Sequence, residues 1–193
     1  SASAMDRRFI VGLVTLLAFC WCLLFWNNRS SLALVDGFDA PGHLAYIQYV
    51  LDHRRLPWPD EGWSMFHPPL YYGISALVLE CVGLSTHDPA ARDVLQIQAL
   101  VFAFVFLLMT GLTLRWIFPS HPLRQLIGLI LAGFLPMHLY LFQFVTNETL
   151  AATLVMVSLY VGIRMLSLDR PTLLMGATLG LCLGAAMLTK FSA

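Results

Sequence analysis

The sequence predicts an all-α integral membrane protein with about five transmembrane helices and a long extracytoplasmic first loop carrying interfacial helices. Three observations predict it. The 193 residues are 59% hydrophobic and only 11% charged, with a mean hydropathy of +0.75, a balance foreign to soluble domains. Apolar runs of spanning length recur at residues 9–26, 94–118, 126–144, 150–168 and 173–188. Between the first two lies the one long polar interval, where residues 36–93 hold eight of the eleven acidic residues and four of the six histidines. Formal net charge is zero and no basic stripe is present, so no nucleic acid is expected as a partner. Cys20, Cys22, Cys81 and Cys182 are scattered and read as small buried hydrophobes rather than disulfides or metal ligands.

The first run follows Arg7 and Arg8, which place the amino end in the cytoplasm, and Trp21 and Trp26 suit the far interface. Residues 27–93 then form the extracytoplasmic first loop. Such a length requires folded elements of its own. Leu44, Ile47, Val50 and Leu51 recur at helical spacing, with Gln48, Asp52 and Arg55 on another face, so residues 41–55 form an amphipathic surface helix. Pro41 suits its first turn, and Leu56-Pro57-Trp58-Pro59 ends it.

Residues 69–84 decide the topology. The run is short and carries Glu80, which would cost about 3 kcal/mol at mid-bilayer. If it crossed, Arg115, Arg124, Arg164 and Arg170 would face outward, against the positive-inside rule; if it does not, they join Arg7 and Arg8 in the cytoplasm. An interfacial or re-entrant helix satisfies both tests. Pro136 predicts a kink in the third span. The chain reads as a single multi-pass domain over residues 1–193, expected to be a piece of a longer protein.

Polar motifs collect on the outer side. Asp39 and His43 form D-x-x-x-H, which puts both groups on one helical face; the alternative is that Asp39 merely caps the helix and His43 is a solvated neighbour. Thr146-Asn147-Glu148 opens the fourth span, where Asn147 suits an N-cap and Glu148 meets the positive helix end. His67-Pro68-Pro69-Leu70-Tyr71-Tyr72 gives a rigid start to the short apolar helix, with His67 a candidate site residue beside a default packing role. Lys190, after the last apolar run, either snorkels or meets a lipid phosphate. A divalent metal, if one is used, would fall to Asp39, His43 and Glu148.

Taken in order, an acidic first loop with D-x-x-x-H, then H-P-P-L-Y-Y, T-N-E and L-T-K-F-S, the chain resembles the amino-terminal part of GT-C-fold membrane glycosyltransferases. The branch is that of the protein mannosyltransferases, aminoarabinose transferases and Rgt-type bacterial enzymes. The resemblance implies an inverting transfer of a sugar from a polyprenyl-phosphate donor to a glycan, lipid or protein acceptor. It implies the extracytoplasmic face of a bacterial plasma (inner) membrane, in cell-envelope synthesis, with membrane lipids as surroundings. By the same resemblance Asp39 and Glu148 take the catalytic carboxylate positions; from their own placement on that side, His43, His67, Tyr71 and Lys190 are the candidate substrate-binding residues. Two departures stand out: relatives often carry Asp where Glu148 stands, and an acidic residue where Ala40 follows Asp39. The competing expectation is a non-catalytic multi-pass protein, a transporter segment or assembly subunit, in which Asp39 and Glu148 would tolerate substitution.

Overall fold

The structure, a computed structural model, describes residues 2–28, 37 and 39–192, with side chains from Arg8 onward. Asp36 and the Arg7 side chain, both used above, lie outside the described residues. Those residues form eight helices: α1 (Ala2–Asn28), α2 (Ala40–His53), α3 (Leu70–Cys81), α4 (Pro89–Ile117), α5 (Pro122–Phe134), α6 (Pro136–Leu141), α7 (Glu148–Leu166) and α8 (Leu173–Thr189). Three of them, α1, α4 and α7, are long and apolar enough to cross a membrane; α3, α5 and α8 are apolar but shorter. With 12 residues, α3 reaches about 18 Å, well under the roughly 30 Å of hydrocarbon. The 29 residues of α4 reach about 43 Å.

Hydrogen bonds and close contacts fix the direction of each helix. The Thr153 hydroxyl donates to the Phe102 carbonyl (2.9 Å), and Trp116 Nε1 donates to the Ser167 hydroxyl (3.0 Å) fourteen residues further along both helices. Helices α4 and α7 therefore run parallel. Helix α1 runs against α4, with Gly111 facing Ile10 and Val14 and Arg92 reaching the Asn28 carbonyl (3.4 Å). Helix α5 climbs beside both, Gly128 against Leu114 and Gly133 against Leu17. Small residues at these crossings let the backbones approach without any help from water exclusion. Helix α8 returns antiparallel to α7, its last residue Thr189 meeting Asn147. Arg8, Arg115, Arg124 and Arg164 consequently lie towards one end of the bundle, and Asp39, Glu148 and Lys190 at the other. Trp21, expected in an interfacial belt, is instead buried and donates to the Gly133 carbonyl (2.9 Å).

The expected third span is not one helix. It breaks at Leu135 (φ −59°, ψ 124°) between α5 and α6, because Pro136 excludes helical geometry at the residue before it. Helix α2 has the expected extent, but its stop is local: Arg54 adopts a left-handed conformation (φ 53°) and its N–H caps the Val50 carbonyl, two residues ahead of the Leu56-Pro57 stretch. Helix α3 starts after Pro68-Pro69 and ends on Gly83 (φ 69°), with the Leu84 N–H donating back to Leu79 (3.0 Å).

Helix α2 does not merely rest on a surface; Ala40, His43, Leu44, Tyr46 and Ile47 are buried, the last three in a cluster shared with Tyr71, Tyr72, Ala76 and Leu79 of α3 and Leu95 of α4. The segment between α2 and α3 is tied by Glu61, which accepts from Arg55 (2.7 Å), the Tyr49 hydroxyl (2.8 Å) and the Trp58 N–H (2.6 Å). Gly42 lets this segment approach α2. A Cβ there would overlap the Ser64 hydroxyl and sit 3.4 Å from the Trp63 ring. Gly42→Val should therefore destabilise the protein by about 1–3 kcal/mol through overpacking. A drop in Tm of purified protein in detergent checks it; an unchanged Tm would mean the segment is not packed on α2.

Candidate functional site

Four separate stretches of chain meet at the polar end. Asp39 and the first turn of α2 form one wall, and His67, just ahead of α3, forms another. The chain from α6 into α7 brings Met137, Tyr140, Leu141 and Phe144 through Glu148, and Lys190 follows α8. Together they line a cavity of about 300 Å³. Asp39, His43, His67, Glu148 and Lys190, singled out by four separate motifs, share this one space.

Asp39 occupies the N-cap position of α2, yet its side chain makes no capping hydrogen bond. Its carboxylate lines the cavity instead, so the plain capping account does not explain it. One turn on, His43 is only 4% exposed, and its Nδ1 lies 2.7 Å from the Tyr72 hydroxyl. Tyr72 is fully buried and stacks flat on Tyr46, ring centres 3.8 Å apart. Burial pushes the Tyr72 hydroxyl pKa up, so it keeps its proton and can give it to Nδ1, which leaves Nε2 of a neutral imidazole as the donor. His67 stacks 5.8 Å from His43 between ring centres. Burial, then the His67 and Lys190 charges, lower the His43 pKa from 6.5 to about 4. His67 is lowered too, by burial and Lys190, while the Asp39 and Glu148 charges oppose the shift.

On the opposite wall Glu148 forms an ion pair with Lys190. Lys190 thus neither snorkels freely nor stands unpartnered. Asn147 was expected to cap α7, but its side chain does not; the amide donates to the Thr189 carbonyl (3.1 Å) and ties the start of α7 to the end of α8. The capping contact falls to Thr146, whose hydroxyl accepts from the Glu148 N–H (3.3 Å). Tyr71 does not reach the cavity. It is buried behind it, hydrogen-bonded to Ser75 and to the Thr146 backbone, because the helical step that brings Tyr72 under His43 turns its neighbour about 100° away.

The expected metal set does not converge: among the described residues no three His, Cys, Asp or Glu side chains could hold an ion together. His43 already uses Nδ1 on Tyr72, and Glu148 already meets Lys190. What remains is a compact site with two carboxylates, one ammonium and two neutral histidines, backed by the apolar Met137, Leu141, Phe144 and Val145. Sequence reasoning did not find Tyr72's bond or that apolar wall; the doubled Tyr71-Tyr72 was the available signal for the first. No protein-family model matches the chain, and no match was found among curated proteins or solved structures.

The histidine has a measurable consequence. Between pH 6.5 and about 4 the unfolded chain binds a proton at His43 that the folded protein refuses, so stability rises with pH across this window. The contribution is complete above pH 6.5 and lost on acidification to about pH 4, up to about 3 kcal/mol. A Tm series in detergent should fall over this range, and fall less in His43→Gln, which keeps a side chain able to accept from Tyr72. Equal slopes for both proteins would exclude His43 as the titrating group.

Proposed function

We propose that this chain belongs to a membrane glycosyltransferase of GT-C type, inverting, that transfers a sugar from a polyprenyl-phosphate donor to an acceptor hydroxyl outside the cytoplasmic face of a bacterial plasma membrane. The observation that carries the reading is the shared cavity: Asp39, His43, His67, Glu148 and Lys190 come from four stretches of chain and line one space. In this reading the membrane is crossed about five times, by α1, α4, α5 with α6, α7 and α8, with the arginine-bearing end in the cytoplasm.

The chemistry follows from the side chains. The acceptor oxygen attacks the anomeric carbon opposite the phosphate; its proton passes to the Asp39 carboxylate, and the C–O bond to the carrier phosphate breaks with its electron pair. Lys190 offers the departing phosphate a positive charge, and Glu148 holds that ammonium in place until phosphate competes for it. Neutral imidazoles at His43 and His67 hydrogen-bond sugar or acceptor hydroxyls without adding charge. The Met137, Leu141, Phe144 and Val145 wall suits the isoprenoid end of the donor.

Asp39→Asn tests the chemistry. It preserves volume and removes the base, so transfer of tritiated sugar from a polyprenyl-phosphate hexose in membranes should fall on the order of a hundredfold or more, with insertion unchanged. A non-catalytic protein would leave the variant at the parent level. The topology is tested separately, with Cys20, Cys22, Cys81 and Cys182 replaced. A cysteine at Ser120 should react only from the cytoplasmic side, and one at the exposed Asp60 only from outside. External labelling at Ser120 would refute the five-crossing arrangement.

A further inference from the structure

The opposite end of the bundle holds a second cavity, of about 570 Å³, lined by Leu112, Arg115, Trp116 and Pro119 on the α4 side and by Tyr160 and Arg164 of α7. We propose that it is a binding site for the phosphate of an anionic membrane phospholipid. This inference does not rest on the glycosyltransferase reading.

Two arginines face one space between parallel helices, and no carboxylate lines it. Each stands in the last turn of its helix, where a cation is favoured by the helix's negative end; that accounts for a positive charge but not for a cavity between two. The Arg164 guanidinium is held in position rather than free. It lies over the Trp116 ring (4.9 Å) and the Tyr160 ring (5.9 Å), and its Nη1 donates to the Tyr160 hydroxyl (3.4 Å). Trp116 is in turn fixed by its bond to Ser167 (3.0 Å). Yet the Arg164 Nε–H is buried and has no hydrogen-bond partner among the described residues. A buried, charged donor left unmet is costly, and an anion held against the cavity face of the same guanidinium would offset that cost.

A guanidinium fork preset by two rings matches phosphate geometry, and a basic pocket between transmembrane helices at the cytoplasmic interface is where anionic headgroups collect. The same helix ends expose Ile117, Leu159 and Leu166, apolar surface against which acyl chains can lie. A soluble phosphate would have no use for that surface, so the lipid is favoured.

Native mass spectrometry of the purified protein, titrated with phosphatidylglycerol or phosphatidylcholine, reads the affinity directly. Phosphatidylglycerol should bind the parent more tightly, Arg115→Gln or Arg164→Gln should each weaken it about fivefold, and the double variant about thirtyfold. Arg115→Lys/Arg164→Lys should recover part of the binding, and Arg124→Gln, on the same end outside the cavity, should bind as the parent. Circular dichroism and Tm identify any variant that fails to fold, and the lysine pair then carries the comparison. Equal binding of the two lipids, or parent affinity in the double glutamine variant, would overturn the proposal. So would inorganic phosphate displacing the lipid completely at submillimolar concentration, which would make free phosphate the ligand.

Discussion

The amide of Asn147, donating to the carbonyl of Thr189 (3.1 Å), is the contact on which the polar end depends. Helix α8 packs along the length of α7, but largely through apolar side chains, and the polar contacts that set its height lie at its end. Leu173, Leu174, Leu181, Leu183, Met187 and Leu188 are exposed, and space is open around Gly176, Gly180 and Gly184, so its glycines do not lock it to a neighbour. On the five-crossing proposal α8 lies in hydrocarbon, where burying it gains nothing from water exclusion and apolar packing alone leaves the register soft. A slip of one turn would move Lys190 about 5.4 Å along the axis and separate it from Glu148. The polar contact at the helix end, where an unmet amide would be costly, therefore determines which charges face one another.

A second polar contact does the same work for the other wall. His43 is packed against Tyr72, which is itself stacked on Tyr46, so the imidazole cannot swing without opening a buried aromatic cluster. Holding it neutral has an electrostatic effect. With Glu148 met by Lys190, two charged imidazoles would outweigh the remaining carboxylate of Asp39. Neutral, they leave the cavity with a small net negative charge rather than a positive one.

Periodicity made α2 legible, since Leu44, Ile47 and Leu51 mark a single face. The length of the 69–84 run and its Glu80 made α3 legible as a short apolar helix, and Pro136 marked the break between α5 and α6. What pairing each face would find was not legible. Tyr71 and Tyr72 are equivalent in sequence, and only the angle at which α2 crosses α3 decides which of them reaches His43. Asn147 has the composition of a cap, but a cap and an inter-helix donor use the same amide, and the choice depended on where α8 ended. Trp21 failed for the same reason: an indole suits an interface until a carbonyl such as that of Gly133 is within reach. Topology put Asp39 and Glu148 on one side, where two carboxylates could converge, and one cavity holds both; that Lys190 pairs with Glu148 inside it required helix registers that no local pattern encodes.

Where helices meet through buried polar side chains, the bundle uses neutral amides. Gln98 donates to Ser75 (2.8 Å), Gln96 to the Gln143 carbonyl (3.0 Å) and Gln125 to the Phe118 carbonyl (2.6 Å). Each amide joins α4 or α5 to a neighbouring stretch, and each leaves its Oε1 buried with no partner among the described residues. A carboxylate or ammonium in these places would carry a far larger desolvation cost than an amide with one bond unmade. Neutral amides therefore serve where the helices need buried directional contacts. Ionised groups are confined to the ends, where water or headgroups can solvate them. On the proposed function and lipid site that division sets where the chemistry would take place: a proton moved at Asp39, and an anion held at Lys190 or Arg164, each at a boundary rather than within the span.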